Sequence, residues 1–374
     1  MWHEWQSSMR PLREVSPLLP PSAGVPVIRR LRAGLFSSPF NTLFTIVLGF
    51  ALIRLVLAFA GWAVFDATFA GSARSACTGD GACWPFISTH LGQFMYGRFP
   101  LGERWRVDVA LVLLIGTTVY VLAGSAKGRW SALATLFVLC PAVGALLLAG
   151  GMFGMASVPT EQWGGFTLNL VLSYCSIAGS IPVGILLALG RKSRLPLIRG
   201  VCVAIIEFFR GVPLITILFT TMFMLPFVLP EGVSVDKLFR AIVALIIFYA
   251  AYIAEVVRGG LQALPRGQFE ATRSLGFGYW RTMGLVILPQ ALRLVLPGIV
   301  NVVIGMFKDS ALVTIIGLFD LLGTVKQSLG NPEWLGLSTE GYLFVSLVFF
   351  AVCFAMSTYS QRIEGRIRQS RAGY

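Results

Sequence analysis

The chain has 374 residues, 56% hydrophobic and only 13% charged, where a soluble domain runs at about 45–50% apolar and about 25% charged. That balance excludes an ordinary soluble fold. The formal charge of +13, from 30 Lys and Arg against 17 Asp and Glu, on its own also suits a nucleic-acid binder, but the long apolar runs between the charges argue against that class.

Taken in chain order, residues 1–40 read as a cytoplasmic N-terminal arm rich in proline, with Pro11, Pro17, Pro20, Pro21 and Pro26. Eight apolar runs are then long enough to cross a hydrocarbon layer about 30 Å thick. They cover 42–65, 107–124, 131–151, 167–189, 201–229, 238–257, 284–318 and 342–359. The fold class expected is therefore all-α integral membrane with about eight transmembrane helices. The seventh run exceeds one span and contains Pro289, Pro297 and Lys308, so part of it is expected to bend or to lie at the interface. Residues 41–155 read as a three-span extension with an outside loop at 66–106. Residues 161–374 read as a five-span core, because polar residues recur at specific places only from Glu161 onward.

Loop charges orient these spans. With the N-terminus in the cytoplasm, inside segments hold 19 of the 30 basic residues and outside segments hold six, namely Arg74, Arg98, Arg104, Arg106, Lys237 and Lys326. The positive-inside rule then places both termini in the cytoplasm. Cys77 and Cys83 lie in the outside loop, where an oxidising compartment would allow a small disulfide; bonded and free states both remain open from sequence. Cys140, Cys175, Cys202 and Cys353 fall within spans and read as small apolar residues.

The cytoplasmic loop at 258–283 is the most informative stretch. Pro265 and Gly267 make a turn, residues 268–275 suit two turns of helix, and Gly276 is a natural stop. A second helix starts near Tyr279. Phe269, Thr272 and Leu275, three apart, predict an apolar edge outside the bilayer. Such an edge can dock a partner or rest on lipid headgroups.

Glu270-Ala271-Thr272, three residues, Gly276, nine residues, Val286, then Leu288-Pro289 resembles the EAA loop of importer-type ABC permeases. Thr272 and Val286 are mild departures from that pattern. The resemblance implies a coupling helix that fits a groove on an ATPase, with Glu270, Ala271, Thr272, Gly276, Leu288 and Pro289 carrying the coupling. The stretches Glu207-Phe-Phe-Arg-Gly-Val-Pro-Leu214, Tyr252-Ile-Ala-Glu-Val-Val-Arg-Gly-Gly260 and Phe307-Lys-Asp-Ser-Ala-Leu-Val313 are similar to the polar amino-acid (His/Glu/Gln/Arg/opine) uptake permeases. The leading spans look like the long permease subunit of the general L-amino-acid (Aap/Bzt-type) systems. The fold implied for the core is a type I (MetI-like) permease of five helices.

The charges inside the spans suit passage of a polar solute. Glu207 and Arg210 are three apart and can pair on a helix, as a structural ion pair or gate. Lys308 and Asp309 are adjacent, so they point about 100° apart and each needs its own partner, water or ligand. Lys308 reads as structural. By resemblance, Asp309, Ser310, Asn301 and Val302 belong to the substrate pathway. In many relatives the residue after the equivalent of Asn301 is acidic, so Val302 favours a broad or neutral-to-acidic substrate range over cationic amino acids.

No phosphate-binding Gly-x-x-x-x-Gly-Lys-Ser/Thr loop, serine elbow or metal-ligand pattern occurs, so no catalytic residue, metal or cofactor is expected on this chain. ATP and Mg2+ would belong to a partner ATPase. The sequence-based expectation is an amino-acid permease subunit in the bacterial inner membrane. Its partners would be a second permease, an ATPase dimer, a periplasmic amino-acid-binding protein and membrane lipids, with no nucleic acid. The rival expectation is an ion-coupled secondary transporter that uses Glu207, Lys308 and Asp309 as a relay.

Overall fold

A computed structural model describes residues 34–123 and 135–372. Among these residues every regular element is helical. They fall into two compact units, one of residues 34–67 with 79–82 and one of 68–78 with 83–372. The N-terminal arm, apart from residues 34–40, lies outside the described residues, as does the start of the third expected span.

The smaller unit is dominated by α1 (Pro39–Ala60), which runs on through a π turn at Gly61–Phe65. Ser38 starts it by accepting from the Asn41 amide at 3.1 Å, and Pro39 presets the first helical φ. None of its residues is buried. A helix apolar on every side and covered by nothing in its own unit has lipid as its solvent.

In the larger unit a Cys77–Cys83 disulfide, with Cα atoms 5.6 Å apart, closes part of the loop that charge had assigned to the outside. Glu340 accepts from the Cys83 amide at 3.1 Å. The amphipathic α2 (Pro85–Tyr96) buries Phe86, Ile87 and Phe94 against Leu321, Val325 and Trp334. Helix α3 (Arg104–Ala123) has the length of a span but is not among the helices apolar enough to count as one. Helix α4 (Cys140–Ala149), preceded by a π turn at Thr135–Leu139, is shorter than a span over its described residues.

The remaining helices form the centre of this unit. Helix α5 (Gly165–Arg191) keeps its course through Pro182. Helix α6 (Pro196–Gly211) is followed by α7 (Leu214–Phe219), a π turn at Thr220–Met224 and α8 (Leu225–Val228). The expected single span at 201–229 is therefore two segments meeting at 106°. The cause is local: Pro213 has no N–H, and Val212 before it is extended with ψ of 137°.

Helix α9 (Lys237–Gln262) is the most enclosed span, with 61% of its apolar window buried. Among its buried residues Ala241, Ala244, Ala250, Ala251, Ala254 and Gly260 are small, which lets neighbouring backbones approach closely at those positions. At Gly260 a Cβ would stand 2.8 Å from the Ala291 carbonyl oxygen, so any larger residue would push the facing helix away. The chain continues through α10 (Arg266–Ser274), α11 (Tyr279–Arg281), a π turn at Thr282–Ile287 and α12 (Leu288–Asp309). A 3-10 turn at Ser310–Ile316, α13 (Leu321–Leu329) and α14 (Ser338–Ala372) complete it. Pro289 falls at the start of α12, where the missing N–H is harmless, and Pro297 lies inside it. By length and composition the described residues hold five spans, or six if the bent pair counts as one.

Candidate functional site

Three sets of polar residues stand out against the apolar helices. The first is the short helix α10. Its end is closed by Gly276, whose φ of +71° suits glycine, with the Phe277 amide donating back to the Thr272 carbonyl at 3.0 Å. Thr272 is buried and donates to the Phe269 carbonyl at 2.9 Å. Phe269, like Met283, Val286 and Leu288, packs against the buried cluster that includes Leu261, Ile287 and Ala291. The expected apolar edge thus divides: Phe269 and Thr272 turn into the bundle, and Leu275 alone stays exposed. The outward surface carries Glu270, Ala271, Ser274 and Leu275, with Trp280 exposed nearby. Among the described residues the Glu270 carboxylate has no ion pair.

The second set joins the ends of α5, α6 and α9. Arg191 contacts Glu207 at 2.9 Å and Glu255 at 3.3 Å; Arg210 contacts Glu255 at 3.8 Å. Arg258 pairs with Glu255 and donates to Gln262 at 2.7 Å. The expected Glu207–Arg210 pair is the longest contact of the group, at 4.0 Å. Arg191 and Glu255, which tie three helices together, were not singled out from sequence, because their pairing depends on helix packing rather than spacing. Beside them, burial first and the Arg258 charge second hold the Lys192 ammonium below the usual lysine value.

The third set lines a cavity of about 560 Å³ between the break after α6, the middle of α9 and α12. Arg210, Gly211 and Pro213 come from the break, Phe248, Tyr249 and Tyr252 from α9, and Val302, Gly305 and Asp309 from one face of α12. The Tyr249 hydroxyl donates to Asp309. Of the residues expected on the pathway, Val302 and Asp309 meet here, joined by Arg210.

The others do not. Ser310 is fully buried, donates to the Phe307 carbonyl at 2.7 Å and accepts from Asn169 at 2.8 Å. Asn169 also donates to Asp320 at 3.0 Å, and Asp320 caps α13 by accepting from the Gly323 amide at 3.0 Å. Ser310 belongs to that internal network and not to the cavity wall, since consecutive residues on a helix point about 100° apart. Burial pushes the Asp320 carboxyl above its usual value, against the pull of its hydrogen bonds to Thr314, Asn169 and backbone amides. Asn301 and Lys308 are exposed on a different face of α12.

Residues 180–369 match the family described as "Binding-protein-dependent transport system inner membrane component". The chain belongs to this family. It is 50% identical over 341 residues to the inner membrane amino-acid ABC transporter permease protein YhdY of Escherichia coli K12, covering 91% of this chain and 93% of that protein. It is 36% identical to the glutamate/glutamine/aspartate/asparagine transport system permease protein BztC of Rhodobacter capsulatus, over 95% of this chain and 97% of that one. The probable glutamine ABC transporter permease protein GlnP of Bacillus subtilis, 32% identical, covers only 54% of this chain although 92% of its own length is matched. As a binding-protein-dependent component with several spans, the chain is a multi-pass inner-membrane transport protein.

Proposed function

We propose that this chain is the permease subunit of an ATP-driven importer that passes L-amino acids through the cavity at Asp309. The cavity carries the reading: in its wall Asp309 is the one acidic and Arg210 the one basic side chain. An amino acid presents an ammonium and a carboxylate, and a wall with one charge of each sign replaces lost hydration at both ends. Val302 adds no second acid, which suits a neutral-to-acidic range. The names of YhdY and BztC support an amino-acid substrate.

The exposed surface of α10 around Glu270 and Ala271 docks on an ATPase dimer, which holds the ATP and Mg2+. A second permease completes the pore, and a periplasmic binding protein delivers substrate. Both termini are cytoplasmic, and the leading helices are an addition to the permease core. Closure of the ATPases pushes α10, and α11 and α12 carry the push to the cavity wall. Nothing observed favours the ion-coupled alternative.

The test is uptake of labelled glutamate and glutamine in cells lacking only this chain, complemented with variants. Gly276→Ala and Glu270→Lys should each lower uptake by about tenfold or more, by misplacing or repelling the contact surface, while membrane levels of the chain stay unchanged. Normal uptake by both would defeat the proposal.

A further inference from the structure

Asn169 is a fully buried amide in the second turn of α5, a membrane span. Burial of such a group is costly unless it is hydrogen-bonded, and here both ends of the amide are. Its Nδ2 donates to the Ser310 Oγ at 2.8 Å and to the Asp320 carboxylate at 3.0 Å, and its Oδ1 accepts from the Leu321 amide at 2.9 Å. All three partners belong to the corner that follows α12. That corner is folded by its own bonds: Asp320 accepts from the Gly323 amide at 3.0 Å and from the Thr314 hydroxyl, and the chain turns at Gly317 with φ of +81°. It begins at Ser310, directly after Asp309, and Ser310 donates back to the Phe307 carbonyl at 2.7 Å. A run of hydrogen bonds therefore leads from α5 into the last turn of α12. On the other side Asp309 meets the Tyr249 hydroxyl of α9, so the end of α12 is held between two helices.

We infer that Asn169 is a positioning residue for the amino-acid pathway: by tying α5 to the corner after α12, it fixes where the Asp309 carboxylate stands in the cavity. The inference rests on the reading of Asp309 as a pathway residue and adds the group that places it. Asn169 does not line the cavity, so it acts through Ser310 and the backbone and not on the solute. The last carbonyls of a helix lack partners within it, so side-chain ties decide how its final turn is held. A functional side chain has to be held to within about 0.5 Å, and a misplacement of about 1 Å can cost on the order of a hundredfold. A leucine at 169 would fill much the same space but would leave the buried Leu321 amide without its acceptor and Asp320 without one of its donors.

The test is uptake of labelled glutamate and glutamine in cells expressing the whole transport complex, with membrane levels of this chain measured alongside. Asn169→Leu should lower uptake by about tenfold or more at an unchanged membrane level. With Asp309→Asn already present, Asn169→Leu should remove no more than about a further twofold, because no charge is left to misplace. A further tenfold loss would mean that Asn169 serves the fold alone, and would overturn the inference. The exchange of Asn169→Asp with Asp320→Asn again sets one amide against one carboxylate, and should restore uptake to within about threefold of the wild type. Asn169→Asp alone, which sets two carboxylates together, should not. If Asn169→Leu fails to reach the membrane, the exchange decides: uptake no better than with Asn169→Asp alone overturns the inference. Normal uptake with Asn169→Leu beside lost uptake with Asp309→Asn defeats the inference alone, whereas normal uptake with Asp309→Asn defeats the pathway reading beneath it.

Discussion

The charges at the ends of α5, α6 and α9 and those in the last turn of α12 are handled in opposite ways. At the helix ends, Arg191, Arg210 and Arg258 share two carboxylates, so every member has a partner within the chain. In the last turn of α12, Asp309 is met by the Tyr249 hydroxyl, and among the described residues Lys308 has no carboxylate partner. The paired set holds helices in register. The unpaired set leaves charge available for something outside the chain, which is costly in a membrane and therefore marks function.

That contrast can be broken by three substitutions. The largest effect should come from Asp309→Asn: if its charge serves a passing ammonium, uptake should fall by about a hundredfold while the complex purifies intact. Unchanged uptake would place the cavity outside the pathway. Next comes Glu255→Gln, which leaves three arginines with one acid. Glu255 is partly exposed, so the cost should be on the order of 2 kcal/mol, below that of a fully buried pair. It is read as a lower thermal midpoint in detergent, and an unchanged midpoint would show that the network does not hold the helices. Smallest is Glu207→Gln. Its side chain is 52% exposed, so solvent should limit the loss to about 0.5 kcal/mol or less, and a loss as large as that of Glu255→Gln would make Glu207 the hub instead.

Much of the fold was legible from composition and spacing. The starts of the long spans followed from apolar runs, and the stop at Gly276 from glycine's access to positive φ. The break at Pro213 was readable as a helix limit, but not as a 106° turn, since a proline ends a helix without saying where the chain goes next. The apolar edge at Phe269, Thr272 and Leu275 was readable as a pattern; whether it faced a partner or the bundle was not, because α10 is amphipathic in either case.

The sequence by itself determined that this is a membrane protein, which loop contains the permease motif and which residues in the spans carry charge. Those properties depend on residue identity and on separations of a few residues along one helix. Only the tertiary structure decided that Arg191 and not Arg210 is the nearest partner of Glu207, that Ser310 belongs to Asn169 and Asp320, and that Asp309 faces a cavity while Lys308 faces outward. Each of these is a contact between helices far apart in sequence, and helix packing, not spacing, chooses such partners.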